Sequence, residues 1–443
     1  MELNELSATD AAAEIARGTV SAVEMAEACL QRVEAVEGTV QAWTFLDPDH
    51  VRAQARALDE ARRAGRPCGP LHGLPVGIKD IIDTDDMPTE CGTPIDAGRR
   101  PRQDSAAVAR LRAAGAVIMG KTVTTELAVY HPGKTRNPQN PIHTPGGSSS
   151  GSAAAVAAGM VPLALGTQTN GSIVRPASYC GVVGYKPTHG LISRRGVLAT
   201  SRCLDTVGIM ARSVEDAALL ADALVGHDEH DPDTRPMARM DLLATASAEP
   251  PVRPSLAFVK SPVWNAAEAD VRAGFGELTD ALGDVCREVA LPSAYDTALN
   301  CQRTIMHADI AKSYAGYYEH GRDRLSDRLR GIIEDGQKVT ALAYLQALDQ
   351  RQALIAGLEE LFQHCDAIIT PATTGEAPVG LESTGSPIFC TLWSLCGVPC
   401  LSLPLLTGSN GLPMGVQIVG RPGYDGRLLR TARWLMRYLS EAE

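Results

Sequence analysis

The stretch TPGGSSSGSAAAVAAGMVPLALGTQTNGSIVRPASYCGVVGYKPTHG, residues 144–190, decides how the rest of this chain is interpreted. It is rich in serine and glycine and carries almost no charge. A surface loop of this length would contain more Lys, Glu and Asp, and an ordinary apolar core would not need so many small hydroxyls. Glycine is used where the backbone adopts a positive φ or comes close to another group. The composition therefore indicates interior turns that present serine hydroxyls.

Two hydroxyl-bearing turns frame this stretch. Residues 146–152 form the first turn and lead into the apolar run 153–158, which predicts a tightly packed helix ended by Gly159. Residues 161–166 predict a short interior strand. Residues 167–172 form the second turn, whose consecutive backbone N–H groups predict a concave anion site such as an oxyanion hole requires.

A lysine upstream completes the candidate chemistry. The apolar run 74–78 predicts a strand that delivers Lys79, one of only seven lysines, into the interior. Burial among apolar and hydroxyl groups lowers the pKa of a lysine, and a neutral amine is what proton abstraction needs. Asp80 follows directly, and the sequence leaves open whether it is a hydrogen-bond partner of the site or a turn cap.

Four motifs carry a resemblance to a known family. The segments GLPVGIKD, GGSSSGS, ALGTQTNGS and RPASYCGVVGYKPT resemble the signature region of the amidase signature family of serine hydrolases. In that family the chemistry comes from a nucleophilic serine, a bridging serine that follows a cis peptide bond, and a lysine base. The resemblance implies that Ser172 is the nucleophile, Ser148 the bridging serine and Lys79 the base.

The same resemblance implies further contacts around the second turn. We expect four backbone N–H groups to hold the oxyanion: those of Thr169, Asn170, Gly171 and Ser172. We also predict three substrate contacts: Gly147, Gln168 and Arg175.

The turn departs from the family pattern at three positions. Gln168 and Asn170 stand where family members commonly have Asp and a second Gly, and Arg175 comes one position later than the usual arginine. These departures leave the triad intact and concern the substrate contacts around the turn.

Other catalytic centres have less support. A Ser–His–Asp triad is not favoured, because the chain lacks a Gly-x-Ser-x-Gly elbow and has no histidine in the serine turns. His131 and His143 fit no metal-ligand spacing and are interpreted as bystanders. Arg351 falls on a predicted helix, which favours a solvated charge, with a substrate carboxylate contact as the alternative.

Composition limits the class of protein. Of the 443 residues, 44% are hydrophobic and 21% are charged, which is typical of a globular chain with a large core. The net charge of −11 argues against nucleic acid as a partner. No apolar run reaches the length of a membrane span, and the first residues lack the features of a secretory signal. Eleven unpatterned cysteines indicate reduced thiols in a cytoplasm, and no cofactor or metal site is predicted.

The chain order predicts one α/β unit. Residues 1–66 predict three helices with capping boxes at Ser7 and Ser21, and residues 70–225 hold the signature core. A linker or insertion is expected at 244–254, followed by a mostly helical region, 255–365, which the resemblance implies is the variable substrate pocket. Strands at 367–370, 400–403 and 414–419 precede a last helix at 426–439. The resemblance implies a single domain over residues 1–443, with a central mixed, twisted sheet covered by helices on both faces.

The function inferred from the resemblance is amide hydrolysis. The main hypothesis is an amidase that cleaves a small-molecule carboxamide or a urea-like C–N bond through an acyl-enzyme on Ser172. Residues 383–390, which resemble the pocket-facing loop of small stand-alone amidases, agree with it. The alternative is the glutaminase (A-type) subunit of a tRNA-dependent amidotransferase. A phosphate-binding role has little support, because P-loop and Rossmann spacings are missing. The expected partner is a small amide, and the resemblance is compatible with a homodimer.

Overall fold

A large mixed sheet flanked by helices organises this α/β fold, seen in a computed structural model that describes residues 2–441. Within these residues the sheet has eleven strands, in the spatial order β1-β3-β2-β4-β6-β5-β10-β11-β9-β7-β8. The strands are β1 (Trp43–Phe45), β2 (Pro75–Lys79), β3 (Val117–Thr122), β4 (Leu163–Gln168), β5 (Val183–Lys186), β6 (Thr206–Ala211), β7 (Leu256–Phe258), β8 (Cys286–Glu288), β9 (Ala367–Pro371), β10 (Cys400–Thr407) and β11 (Pro413–Val419).

The sheet is mixed, with its parallel and antiparallel pairs grouped in blocks. Strand β2 lies between β3 and β4 and is parallel to both, whereas the pairs from β4 through β6, β5, β10 and β11 to β9 are antiparallel. Every residue of β2, β3 and β4 is buried. Strands covered on both faces read as continuous apolar runs, which is why these segments could be predicted from sequence.

Fifteen α-helices surround the sheet in the described part of the chain. They are α1 (Ala8–Arg17), α2 (Ala22–Val40), α3 (Pro48–Arg63), α4 (Ala106–Ala113), α5 (Ser150–Ala157), α6 (Val174–Cys180), α7 (Val214–Leu224), α8 (Leu242–Ser247), α9 (Ala269–Leu282), α10 (Ala298–Ser313), α11 (Ala315–Gly321), α12 (Asp327–Gln337), α13 (Ala341–Leu361), α14 (Ile388–Leu395) and α15 (Asp425–Ser440). Among the described helices, none has the length and apolar character that crossing a membrane would require.

The three N-terminal helices begin where the sequence predicts. The Ser7 hydroxyl accepts a hydrogen bond from the backbone N–H of Asp10, and Ser21 and Glu24 form a reciprocal capping box. Gly18 ends α1 with a φ of 76°, a conformation that glycine adopts at little cost. These boundaries depend on side chains a few residues away, so local sequence is enough to predict them.

The signature core confirms the predicted helix and strand with small shifts. Helix α5 begins in the serine turn itself, at Ser150, and Gly159 follows it with a φ of 70°. Strand β4 runs to Gln168, two residues beyond the predicted end. Helix α6, directly after the second turn, was not predicted from the sequence.

The expected linker at 244–254 is partly wrong. Residues 242–247 form α8, whose Asp241 cap accepts from the N–H of Ala244. The Asp222 carboxylate of α7 accepts from the backbone N–H groups of Leu242 and Leu243, at 2.6 and 2.9 Å. A helix this short is held by contacts distant in sequence, which composition does not reveal.

The C-terminal part agrees with the predicted order of elements. Strands β9, β10 and β11 and helix α15 lie at the expected positions. Residues 388–390, interpreted as part of a loop, belong instead to α14. All eleven cysteines are free thiols, in agreement with the interpretation of the cysteine pattern.

Candidate active site

Lys79 occupies the end of β2 and points into the interior. Its side chain is completely buried, and its Nζ lies 2.7 Å from Ser148 Oγ and 2.8 Å from Thr167 Oγ1. Thr167 lies on β4, the neighbour of β2 in the sheet, so the sheet itself brings this hydroxyl to the amine. Thr167 is a contact that sequence reasoning missed.

The surroundings of Lys79 favour the neutral amine. Burial holds the pKa of Lys79 well below its ordinary value, and the Arg175 guanidinium lowers this pKa further. The Asp205 carboxylate opposes both effects without cancelling them. A neutral amine has a lone pair, so Nζ can accept a proton from Ser148 while it donates a hydrogen bond to Thr167.

Ser148 lies where the first turn meets the cavity. The peptide bond between Gly147 and Ser148 is cis, as the resemblance implies. The Gly147 carbonyl accepts hydrogen bonds from Arg175 Nε and Nη2, at 3.2 and 2.6 Å. A Cβ atom at Gly147 would come within 2.8 Å of the Thr384 methyl carbon, so a side chain would not fit there without movement.

Ser172 faces the same cavity as Ser148. The two turns are joined by a long hydrogen bond of 3.4 Å from the Ser149 N–H to the Ser172 carbonyl. Within residues 2–441, no direct hydrogen bond links the hydroxyls of Ser148 and Ser172, although both line the cavity wall. Hydrogen bonds of this kind often tighten only when substrate binds. The structure therefore brings Lys79 and Ser148 into contact, and Ser148 and Ser172 line the same cavity.

The second turn presents free backbone donors. None of the N–H groups of residues 169–172 donates to another protein group in the part of the chain described here. Gln168 shapes this turn, because its Oε1 accepts from the N–H groups of Ile173 and Val174, at 2.7 and 3.0 Å. A Cβ atom at Gly171 would lie 2.9 Å from Pro387 Cβ, so the close approach of the chain requires glycine.

The cavity in front of the serines is a small, partly open space; the non-atom space in it, including solvent at its mouth, is about 360 Å³. Its lining combines hydroxyls, small groups and an apolar side: Thr125, Ala128, Val129, Tyr130, Ser148, Thr169, Asn170, Gly171, Ser172, Arg175, Thr200, Met306, Ile310 and Thr384. Met306 and Ile310 come from α10, within the region predicted to form the variable pocket.

Two lining groups keep an unmet hydrogen bond or an unpaired charge. Thr125 Oγ1 is buried and has no hydrogen-bond partner among the described residues. Arg175 donates to the carbonyls of Gly147 and Gly385, and among the described residues no carboxylate pairs with its guanidinium. Arg175 therefore brings an uncompensated positive charge to the cavity wall.

Asp205 is the charged residue that sequence reasoning missed. Its carboxylate accepts from the Thr169 hydroxyl at 2.6 Å and from the backbone N–H groups of Thr200 and Ser201. Burial raises the pKa of Asp205 to about 6, against the opposing effect of these hydrogen bonds. Asp205 thus connects the second turn to the loop before β6, and its charge acts on Lys79.

Several other candidates lie away from the cavity. Asp80 is 3.5 Å from the amine of Lys121, so it belongs to a buried ion pair. Arg351 donates to the carbonyls of Leu395 and Cys203, which makes the interpretation as a solvated charge wrong.

The two histidines do not line the cavity either. His143 is buried, with Nδ1 2.6 Å from the Ala377 carbonyl, and His131 is exposed.

One cluster of carboxylates has the spacing of a metal site, formed by Asp85, Asp86 and Asp104. The Arg112 guanidinium lies 2.7 Å from Asp86 and 2.9 Å from Asp104. The cluster is therefore already neutralised in part by an arginine, and it lies outside the catalytic cavity.

Comparison with known proteins gives one family. The amidase family model matches residues 24–429. A curated relative, the A-type subunit of the glutamyl-tRNA(Gln) amidotransferase from Chloroflexus aurantiacus, is 37% identical, with 97% of this chain and 96% of that protein aligned.

Solved structures give the same result. A chain from the inhibitor-bound vestigial protein complex that reveals the evolutionary origins of an s-triazine catabolic enzyme superposes with a TM-score of 0.91. It is 30% identical, and 98% of each chain is covered. The 6-aminohexanoate cyclic dimer hydrolase, complexed with substrate, gives a TM-score of 0.88 at 28% identity, with 99% of this chain and 98% of that chain covered. Both the family model and these full-length similarities show that the chain belongs to the amidase family.

Proposed function

We propose that this protein hydrolyses a small carboxamide or a urea-like C–N bond through a covalent acyl-enzyme on Ser172. The observation that carries the proposal is the buried Lys79 amine, which has a strongly lowered pKa and lies 2.7 Å from Ser148 Oγ. Ser148 and Ser172 line the same cavity. Serine needs a base to act as a nucleophile, and neutral Lys79 is the base that this site offers.

The proposed acylation moves two protons in sequence. Lys79 Nζ takes the Ser148 hydroxyl proton, and Ser148 Oγ takes the proton of Ser172 as Ser172 Oγ bonds to the amide carbon. The carbonyl π bond opens, and its electron pair rests on oxygen. When the C–N bond breaks, the proton returns from Lys79 through Ser148 to the leaving nitrogen. Water then attacks the ester by the same relay, which releases the carboxylic acid and restores the serine.

The free N–H groups of residues 169–172 are suited to hold the oxyanion. A donor aimed at developing charge in a site of this kind contributes roughly 3 kcal/mol. Gln168 supports the proposal indirectly, because it fixes the two N–H groups that follow the turn and leaves those of the turn free. The predicted substrate contact of Gln168 is therefore replaced in this proposal by a role in positioning.

The lining favours a neutral or anionic substrate. Arg175 brings a positive charge, while no Asp or Glu lines the catalytic cavity among the described residues. A cationic group near the reacting carbon would therefore lack a counter-charge there. Thr125 Oγ1 and Arg175 are the groups that we propose contact the substrate.

A glutaminase subunit is the second candidate, and the curated relatives support it better than they support the first, because the relative with 37% identity is a subunit of this kind. Glutamine carries an ammonium as well as a carboxylate. Asp296 is a nearby carboxylate for this ammonium, but it lines a separate outer cleft and not the catalytic cavity. This candidate predicts that glutamine is preferred over simple amides and that the ammonia passes to a partner subunit.

An ammonia-release screen tests both candidates. Purified protein is assayed with glutamine, with short aliphatic amides and with urea-like compounds, beside Ser172→Ala and Ser152→Ala. Ser152 belongs to the first turn but donates to the Leu165 carbonyl and does not line the cavity. We expect turnover of a simple amide that Ser172→Ala loses by about 10⁶-fold and Ser152→Ala retains. Turnover that survives Ser172→Ala would refute the acyl-enzyme, and a strict preference for glutamine would favour the second candidate.

A further inference from the structure

Asn170 lies between two cavities. The catalytic cavity and a more open outer cleft share three lining residues: Tyr130, Asn170 and Met306. The outer cleft is otherwise lined by polar side chains of α10, such as Arg303 and His307, and by the N-terminal part of α14. The two spaces are therefore neighbours, and the three shared residues form their common wall.

The Asn170 carboxamide spans this wall. Its Nδ2 donates to the Tyr130 hydroxyl at 3.1 Å, and its Oδ1 accepts from the Thr391 hydroxyl at 2.8 Å. Tyr130 lies in the loop after β3 and Thr391 lies on α14. The Asn170 side chain therefore connects two elements that are distant in the sequence. Asn170 is only 8% exposed, which means that its neighbours hold it on both sides.

Tyr130 is held in turn by an arginine. The guanidinium carbon of Arg328 lies 5.1 Å from the centre of the Tyr130 ring, within the range of a cation–π contact. The wall is thus a chain of contacts from Arg328 through Tyr130 and Asn170 to Thr391. A glycine, the residue that the family resemblance leads one to expect at position 170, would remove the middle of this chain.

We propose that the Asn170 side chain is a size filter, which restricts the catalytic cavity to short amides by closing it from the outer cleft. The inference rests on the proposed function, because it assigns the substrate size of the Ser172 site. Without the side chain the two spaces join, and an extended amide with a polar far end can lie across both.

The test compares kcat/KM between short and long amides within each variant. A general loss of activity affects both substrates and cancels in the ratio. Values of kcat/KM for acetamide, butyramide and hexanamide are measured for the natural protein and for Asn170→Gly, Asn170→Ala and Asn170→Asp. We expect the ratio of hexanamide to acetamide to rise at least about tenfold in Asn170→Gly and Asn170→Ala, the scale on which pockets discriminate chain length. Asn170→Asp keeps the bulk of the side chain and should keep the natural ratio. Unchanged ratios in both shortened variants would overturn the filter.

A second readout does not depend on amide turnover. Alkyl fluorophosphonates with a short and a long chain label reactive serines, and mass spectrometry locates the label on Ser172. The expected result is slow labelling by the long probe in the natural protein and a gain of at least about tenfold, relative to the short probe, in Asn170→Ala. Equal relative rates would overturn the filter and leave the proposed function standing. Failure of both probes to label Ser172 would instead contradict the proposed function.

Discussion

Two lysines on adjacent strands are buried to the same extent, and both amines contact hydroxyls, but only one of them also lies beside a carboxylate. Lys79 on β2 and Lys121 on β3 are both completely buried, and the residue before Lys79 pairs with Lys121 in the sheet. The Lys79 amine contacts hydroxyls only. The Lys121 amine lies 3.5 Å from an Asp80 carboxylate oxygen and donates to the Ile82 carbonyl at 2.8 Å.

The difference shows that the partner decides what a buried amine does. Burial lowers the pKa of both lysines, and the Asp80 carboxylate opposes this effect at Lys121. Lys79 and Asp80 are consecutive residues at the end of a strand, where alternation sends side chains to opposite faces. One face receives a proton acceptor and the other a structural ion pair.

The largest expected effect separates the two lysines by activity. Lys79→Met should lower kcat/KM by about 10²–10⁴, the usual contribution of a positioned base. Lys121→Met should keep the turnover of the folded enzyme, because the Lys121 amine donates to the Ile82 carbonyl and the Thr89 hydroxyl and contacts neither serine of the proposed triad. Steady-state kinetics on a neutral amide checks both variants. Full activity in Lys79→Met would remove the base from the proposed mechanism.

The free energy of unfolding should be lowered by Lys121→Met and not by Lys79→Met, which is the reverse of the order expected for activity. Lys121→Met leaves Asp80 buried without its cation, and breaking a buried pair in this way costs about 3–5 kcal/mol. Lys79 has a lowered pKa when folded, so the unfolded chain binds more protons, and its burial reduces stability below the unfolded pKa. Lys79→Met should therefore unfold at the same or a higher denaturant concentration than the natural protein. Urea unfolding measures both, and a large loss in Lys79→Met would contradict this assignment.

A smaller effect is expected from the carboxylate that faces Lys79. The Asp205 carboxylate raises the pKa of Lys79 and has a pKa of about 6 itself, so it is ionised at neutral pH. Asp205→Asn should lower the pKa of Lys79, and the acid limb of the kcat/KM profile should move to lower pH. Asp309→Asn is the control, because Asp309 contacts Ser201 in the same loop and does not act on Lys79. A shift of the acid limb to higher pH in Asp205→Asn would contradict the prediction that the Asp205 carboxylate raises the pKa of Lys79.

The features that the sequence predicted correctly are those that depend on residues close together in the chain. The caps at Ser7 and Ser21 lie within three residues of the groups they bind, and β2 reads as one apolar run that ends in Lys79. The resemblance to the family implied that Lys79 and Ser148 act together, and in the structure their side chains are in contact. The roles of these residues in catalysis stay predictions for the experiments above.

What sequence missed depends on contacts between distant segments. Thr167 reaches Lys79 through strand pairing, and Asp205 reaches Thr169 across a loop that no local pattern marks. Arg351 was misread because its carbonyl partners lie on α14 and in the loop before β6, far along the chain. The wall at Asn170 is formed by contacts with Tyr130 and Thr391, which lie far from it in the sequence. The sequence therefore indicated this wall only through the departure from the family pattern at position 170.

The charge state of Lys79 is the central claim, and NMR of ¹³Cε-labelled lysine measures it most directly. The chain has seven lysines, so few resonances are expected, and the signal missing from Lys79→Met assigns Lys79. A pH titration should give Lys79 a midpoint well below its ordinary pKa of 10.5 and below the midpoint of Lys121. A Lys79 amine that titrates together with the exposed lysines would contradict the account.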